Sequence, residues 1–316
     1  MLTEYTSLTA LNLPGSCVTV GAFDGIHLGH QSLLHPLISY ALNQSLPVVM
    51  VTFDPIPSVF FQRGGNQKSI ILPSERAELL RDSGIDSLVT LQFNNEFAGQ
   101  SAFDFLLQMK AALNFESLWV GTDFSLGNKR KGTTEVLREI SGELDFSLRV
   151  IPKFEMDGDV VSSTRIRRLL TEGYLPEANK LLGYPYFFRN QIIHGDARGR
   201  KLGFPTINMV FPEEKLIPAY GVYATRIYVQ GGVYPAVTSV GVRPTFHDDG
   251  FVVVESYILD FQLDLYEEEA KVEFVEFLRP EVKFGSAAEL IDQINLDVAE
   301  ARAFFAGAWP AEKNGE

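Results

Sequence analysis

Apolar and polar positions follow one rhythm up to about residue 183 of this chain and another beyond it. In the first part, short apolar runs near 17–21, 48–53, 87–91, 118–121 and 148–151 read as strands. Segments with a period of three to four residues separate them, at 31–42, 74–82, 103–113 and 133–140. The segment 31–42 presents Leu33, Leu34, Leu37, Ile38, Ala41 and Leu42 as its apolar face. Alternating strand and helix predicts a doubly wound parallel sheet with right-handed crossovers. In such a fold, ligands bind beyond the carboxyl ends of the strands. A helical pair at 164–172 and 176–182 follows and stops at Gly183. Six short β-branched and aromatic runs then occupy 188–193, 206–211, 222–228, 233–239, 252–261 and 271–277, which predicts a small antiparallel β-barrel. An amphipathic stretch at 287–305 reads as a helix packed across it. The expected organisation is α/β plus all-β, with a first domain over 1–184 and a second over 185–316.

Composition narrows the picture. The 316 residues are 46% hydrophobic, enough for two cores. No apolar run reaches membrane-spanning length, and Met1 leads into polar sequence rather than a signal peptide. The single cysteine, Cys17, excludes an internal disulfide, suits a reducing cytoplasm and is expected to be a small core residue. A net charge of −13 argues against a nucleic-acid partner. Anionic substrates then require local cations. Three clusters offer them: Lys129, Arg130 and Lys131; Arg165, Arg167 and Arg168; Arg198, Arg200 and Lys201.

The first concentrated chemistry is GAFDGIHLGH, from Gly21 to His30. It joins a strand to a helix through a turn that holds Gly21, Phe23, Asp24 and Gly25, and free backbone N–H groups at such a helix start favour phosphate. His27 and His30 are three apart and project from one side of the first helical turn, where two imidazoles can donate to charge building on a phosphoryl oxygen. A His-x-x-His pair could also be half of a zinc site, but no third ligand stands nearby at a helical or hairpin spacing. Two further loops follow predicted strands. VGTDFSLGNKRKG carries Asp123 ahead of a cationic stretch, and SSTRIR places Ser162, Thr164 and Arg167 at a helix N-terminus, where a plain N-cap is the simpler alternative.

The second half holds GDARGRKLGFPTIN, with Gly195, Gly199 and Arg200. It is not a Walker A loop, and neither is GGNQKS at 64–69. Its glycines offer backbone amides, and Thr206 and Asn208 fall on one face of a strand. Their hydroxyl and amide oxygens are hard ligands suited to Mg²⁺ held with nucleotide phosphates. Glu255, in VVVESYILDFQLDLY, lies in an apolar strand, where it is either half of an ion pair or a general base.

Through the GxFDGxHxGHQ form, the later loops and their order, the first 185 residues or so resemble bacterial flavin adenylyltransferases. The resemblance implies FMN and ATP giving FAD and pyrophosphate with Mg²⁺. His27 and His30 would hold ATP phosphates. The turn residues Gly21, Phe23, Asp24 and Gly25, with Asp123, Ser162, Thr164 and Arg167, would complete the nucleotide site. From about 185 to 305, the GRKLGFPTIN, ESYILDFQLDLY and LRPEVKF segments resemble riboflavin kinase. That implies ATP-dependent phosphorylation of the riboflavin 5′-hydroxyl. Glu255 would be the base, Thr206 and Asn208 the metal ligands, Gly195, Gly199 and Arg200 phosphate contacts, and Arg279 a flavin contact. Four positions depart from the family patterns: Ala22 for asparagine, Ile56 for histidine, Ile207 for alanine and Glu267 for glycine. Ile207 is expected to face away from the site into the core.

The expected partners are therefore riboflavin, FMN, ATP and FAD, with no nucleic acid and no membrane, in the cytoplasm. The alternatives are a nucleotidylyltransferase for another phosphorylated small molecule and a flavin-binding regulator without catalysis.

Overall fold

The apolar runs of the first half assemble into one parallel sheet. A computed structural model describes residues 1–61, 67–194, 199, 202–242, 251–261 and 265–308. Its chain divides into two units, Met1–Ser163 and Thr164–Glu316. The first unit contains β1 (Thr3–Tyr5), β2 (Ser16–Val20), α1 (Leu28–Gln44), β3 (Val48–Asp54), α2 (Pro57–Phe60) and α3 (Pro73–Leu80). It continues with β4 (Ser87–Gln92), α4 (Asn95–Gly99), α5 (Ala102–Leu113), β5 (Phe115–Gly121), α6 (Thr134–Glu143), β6 (Ser147–Ile151) and a small hairpin of β7 (Glu155–Met156) and β8 (Asp159–Val160). The sheet order is β1-β4-β3-β2-β5-β6, and every pairing is parallel.

Order reverses at β2, with β3 and β4 on one side and β5 and β6 on the other. A crevice at such a reversal is where open α/β sheets bind ligands. All five residues of β2 are buried, as parallel strands covered on both faces require. Val18 and Val20 share a core with Phe105, Leu106 and Leu137 of α5 and α6. The buried hydroxyls of Ser16 and Thr19 donate to the Leu113 and Trp119 carbonyls at 2.7 and 2.8 Å. Cys17 is a fully buried core residue, as expected, and burial raises its thiol pKa.

Two expectations need correction here. Leu42 is 78% exposed, because Ala41 takes the inward position one residue earlier on α1. The edge strand β1, paired with β4, was not foreseen, since three largely polar residues carry no readable period.

The second unit opens within α7 (Ser163–Glu172) and continues through α8 (Leu175–Leu182), β9 (Phe187–Gln191), β10 (Ile207–Val210), β11 (Gly221–Val229), β12 (Gly232–Val242), β13 (Val252–Ile258), β14 (Glu269–Pro280) and α9 (Ala287–Ala308). The six strands form an antiparallel sheet in the order β10-β13-β12-β11-β14-β9. Its two ends meet where the Ile193 amide donates to the Asn208 carbonyl at 2.8 Å, so the sheet closes into a barrel. Alternation along β11 separates two cores. Tyr223 packs edge-on to Phe274 with ring centroids 5.0 Å apart, while Val222 and Ala224 pack with Ala301 and Phe305 of α9. The buried hydroxyls of Thr225, Thr238 and Ser256 satisfy one another at 2.6 and 2.8 Å.

Asn179 ties α8 to this barrel. Its side chain accepts from the Tyr186 amide at 2.7 Å and donates to the Phe274 carbonyl at 2.9 Å. Leu175, Ala178, Leu181 and Leu182 are buried beside it. Each buried leucine contributes roughly 1.5–3 kcal/mol, so α8 supplies a large share of a typical domain's stability. A fragment beginning at Thr164 is therefore expected to unfold cooperatively in urea. One beginning at Tyr184 is expected to lose its near-UV dichroism or to unfold at much lower urea. Equal midpoints would refute this role for α8.

Candidate active sites

His27 caps α1 without a side-chain cap bond, and its carbonyl accepts from the amides of His30 and Gln31 at 2.7 and 3.0 Å. That first turn stacks the two imidazoles at 3.7 Å between centroids and 18° between planes, with Phe23 edge-on to His30. Nearly parallel rings cannot both aim an in-plane lone pair at one ion, and no cluster of three or more metal-binding side chains occurs among the described residues. The geometry suits hydrogen-bond donation instead. Gly29 must be glycine, since a Cβ there would lie 2.9 Å from the Val161 carbonyl oxygen and 3.1 Å from the His27 ring.

Gly21 opens the preceding turn, in which Phe23, Gly25 and Ile26 all have positive φ, at 45°, 92° and 36°. Asp24 is buried there, and its Oδ1 accepts from the amides of Ile70 and Ile71 at 2.9 and 3.2 Å. Its carbonyl accepts from the Ser163 hydroxyl at 2.9 Å. Two family departures have structural counterparts nearby. The Ala22 carbonyl accepts from Thr52, and Ile56 is buried at the start of α2.

The remaining expected residues of this set fall as follows. Asp123 lies exposed on the turn after β5, paired with Lys153 at 3.3 Å. Lys129, Arg130 and Lys131 are exposed on the turn beyond, where Arg130 donates to Ser125. Ser162 precedes α7, Thr164 is exposed on its first turn, and Arg167 is half-buried one turn later.

In the second unit, the expected residues converge. A cavity of about 430 Å³ is lined by Gly199, Thr206, Asn208, Glu255 and Arg279, and also by Ser239 and Asp297. Strand register explains the meeting. Asn208 on β10 stands opposite Glu255 on β13, which stands opposite Ser239 on β12, so three polar side chains lie abreast on one face. Thr206 just precedes β10 rather than lying in it. Gly199 must be glycine, since a Cβ there would collide with the Phe204 carbonyl oxygen. Arg279 is held bidentate by Asp297 of α9 at 2.8 and 2.7 Å, the planar fork pairing at which arginine excels. Ile207 does not line the cavity, as its alternate position requires, but it is half-buried rather than a core filler. Glu267 takes φ 68°, the left-handed conformation for which its family's glycine is suited. Gly195, Arg198, Arg200 and Lys201 lie outside the described residues, as do Gly64, Gly65 and Asn66 of GGNQKS.

Three residues near these sites escaped the sequence reading. Arg76 is 1% exposed on α3, Asp297 is 2% exposed on α9, and Ser239 neighbours Glu255 across the sheet. Their signals were weak. Arg76 shares an inward stripe with Ala77 and Leu80, and Asp297 shares one with Ile294 and Ala301, so each is a charge where the helical period asks for an apolar residue.

A glycine-bearing turn at a helix start on a parallel sheet, and a carboxylate beside a hydroxyl and an amide in a barrel cavity, are the features of a two-site phosphotransfer protein. A family model described as FAD synthetase matches residues 10–165, and one described as riboflavin kinase matches 182–305. The bifunctional riboflavin kinase/FMN adenylyltransferase of Listeria monocytogenes is 40% identical over 92% of each chain, and that of Bacillus subtilis is 34% identical over the same shares. The chain belongs to the family of bifunctional riboflavin kinase/FMN adenylyltransferases. A crystal structure described as a macrolide-efflux protein from Streptococcus pneumoniae shares the fold, with a TM-score of 0.85 and 33% identity over 95% of this chain and 98% of that one. Among the described residues here, no helix is long and apolar enough to cross a membrane.

Burial, then the neighbouring His27 and Arg76, push the His30 pKa well below its ordinary 6.5. His30 therefore stays neutral in the fold, whereas the unfolded chain protonates it below pH 6.5. The unfolded state then binds more protons, so stability falls with pH below that value, by up to about 1.4 kcal/mol per unit. Urea unfolding of the chain between pH 7.5 and 5 should show this slope, and His30→Gln should reduce it. Identical slopes in the two proteins would refute it.

Proposed function

We propose that consecutive steps on one flavin are divided between the two halves, with residues 185–316 making FMN from riboflavin and residues 1–184 making FAD from FMN. In the first step, Glu255 takes the proton of the riboflavin 5′-hydroxyl as its oxygen attacks the γ-phosphorus of ATP and ADP leaves. The supporting observation is the strand register that sets Glu255 beside Asn208 in the cavity that Thr206 also lines. The Thr206 hydroxyl and the Asn208 amide oxygen fit Mg²⁺ carried by ATP phosphates, since a hard ion with few protein ligands needs no carboxylate cage. Bound there, Mg²⁺ would neutralise developing phosphate charge. Gly195, Gly199 and Arg200 contact the nucleotide phosphates, and Arg279, pre-oriented by Asp297, contacts the flavin.

In the second step, a phosphate oxygen of FMN attacks the α-phosphorus of ATP and pyrophosphate leaves, so no protein nucleophile is required. His27 and His30 donate to the phosphates, His30 as a neutral imidazole, aided by the turn of Gly21, Phe23, Asp24 and Gly25. Asp123 lies by the nucleotide, and Ser162, Thr164 and Arg167 bind phosphate. The buried lone thiol of Cys17 accords with a cytoplasmic enzyme.

Incubation with riboflavin, ATP and Mg²⁺, followed by chromatography of the flavins, tests the whole scheme. Glu255→Gln should lower riboflavin phosphorylation by about 10²- to 10⁴-fold while leaving adenylylation of supplied FMN unchanged. A kinase rate within about threefold of the parent, far short of that range, would remove Glu255 as base. His30→Ala should do the opposite, with FMN accumulating and FAD formation falling by about 10²- to 10³-fold. Normal FAD formation would overturn the assignment of the first site.

A further inference from the structure

The least expected group in the first unit is Arg76. It is 1% exposed, and neither its Nε nor its Nη1 has a hydrogen-bond partner among the described residues. A buried guanidinium with unmatched donors is expensive, and folds retain one where an anion is to be met. Its location is fixed by α3. Residues Ile70 and Ile71, just before that helix, dock through their amides onto Asp24, three residues before His27. The guanidinium is thereby an electrostatic neighbour of His30, Asp24 and Asp54. Those two carboxylates do not satisfy Nε and Nη1. Asp24 spends Oδ1 on the two amides, and Asp54 is exposed.

Beside His30, which burial keeps neutral, Arg76 is a buried positive charge. We propose that Arg76 is a phosphate-binding residue of the adenylyl-transfer site, presenting Nε and Nη1 to a phosphate oxyanion of the substrates beside His27 and His30. The proposal rests on the adenylyltransferase reading of the first unit. It commits to phosphate chemistry, carried either by the triphosphate or by FMN, and a planar fork explains why arginine rather than lysine stands there.

The test uses the full chain with FMN, ATP and Mg²⁺, and compares Arg76→Met with Arg76→Lys. Arg76→Met should lower kcat/KM for FMN adenylylation by about 10²-fold or more, with riboflavin phosphorylation in the same protein unchanged. Arg76→Lys should recover part of the loss, because it keeps the charge without the fork. Where the triphosphate is the ligand, inhibition by pyrophosphate should weaken in parallel. A rise confined to the KM for ATP assigns the triphosphate, and one confined to the KM for FMN assigns the flavin phosphate.

Arg76→Met at parent activity would overturn the proposal. So would Arg76→Lys matching the parent, a comparison that still decides if Arg76→Met fails to fold. Loss of activity with both KM values and pyrophosphate inhibition unaltered would reduce Arg76 to a structural residue and overturn it equally. His30→Ala separates the two levels. If His30→Ala abolishes FAD formation while Arg76→Met does not, only the arginine assignment falls. If His30→Ala is silent, the reading of the site falls with it.

Discussion

The hydrogen bonds of Asp24 hold the first site together. A carboxylate 2% exposed is stable only where N–H donors replace water, and Asp24 finds two in the amides of Ile70 and Ile71. Through its carbonyl it also anchors the Ser163 hydroxyl at the first residue of α7. One residue thus fixes three distant segments: the turn that carries His27, the entry to α3 that carries Arg76, and the start of α7. The positive-φ residues Phe23 and Ile26 on either side cost conformational energy, which persists only where surrounding contacts over-determine the backbone. Asp24 supplies that determination. In the sequence Asp24 reads as a phosphate contact, whereas its observed bonds are those of a pin that shapes the cradle.

The second site relies on a different constraint, the two-residue period of strands. Asn208, Glu255 and Ser239 meet because β10, β13 and β12 are adjacent and in register. A slip of one residue in either pairing would turn the carboxylate into the barrel, among Thr225, Thr238 and Ser256. Those buried hydroxyls already bond one another, so the interior has no role for a charge. The register is therefore enforced from inside the barrel as much as from the site. Across the cavity, α9 contributes Asp297, which orients Arg279 through both carboxylate oxygens. The terminal helix is part of the site as well as cover for Val222 and Ala224.

Both architectures were legible where a period ran long enough to be counted. The βα alternation, the six barrel strands and the last helix all follow from it, and the described residues of the two glycine-bearing motifs fall at the start of α1 and on the barrel cavity. What escaped had no period or broke one. β1 and the β7–β8 hairpin are too short, and α2 and α4 span only four and five residues. Leu42 satisfies the apolar pattern, yet helix rotation gives the inward place to Ala41. Ile207 alternates correctly, but strand alternation sets which way a residue points and not how deeply it is covered. Arg76 and Asp297 occupy inward helical positions, where a single sequence cannot tell a functional charge from a flaw in the pattern. Pairing through space distinguished Asp297, which has its arginine, from Arg76, whose Nε and Nη1 have no partner among the described residues.

Net charge bears on both sites in a way that separates long range from short. At −13 the chain as a whole repels ATP and FMN. Exposed charges, however, are screened beyond about 8–10 Å at physiological ionic strength, so the global excess governs solubility and encounter more than binding. Two arginines beside the sites stand where screening is weak. Arg76 is enclosed in the first unit, and the Arg279 side chain is 18% exposed, locked to a nearly inaccessible carboxylate. Charges in such surroundings act through a lower effective dielectric than the acidic surface does. An acidic protein can therefore handle polyanions if its few functional cations are enclosed and its donors are fixed in advance. That requirement also explains why the first site needs a buried pin such as Asp24, since an anion cradle on a mobile surface turn would lose to the surrounding field.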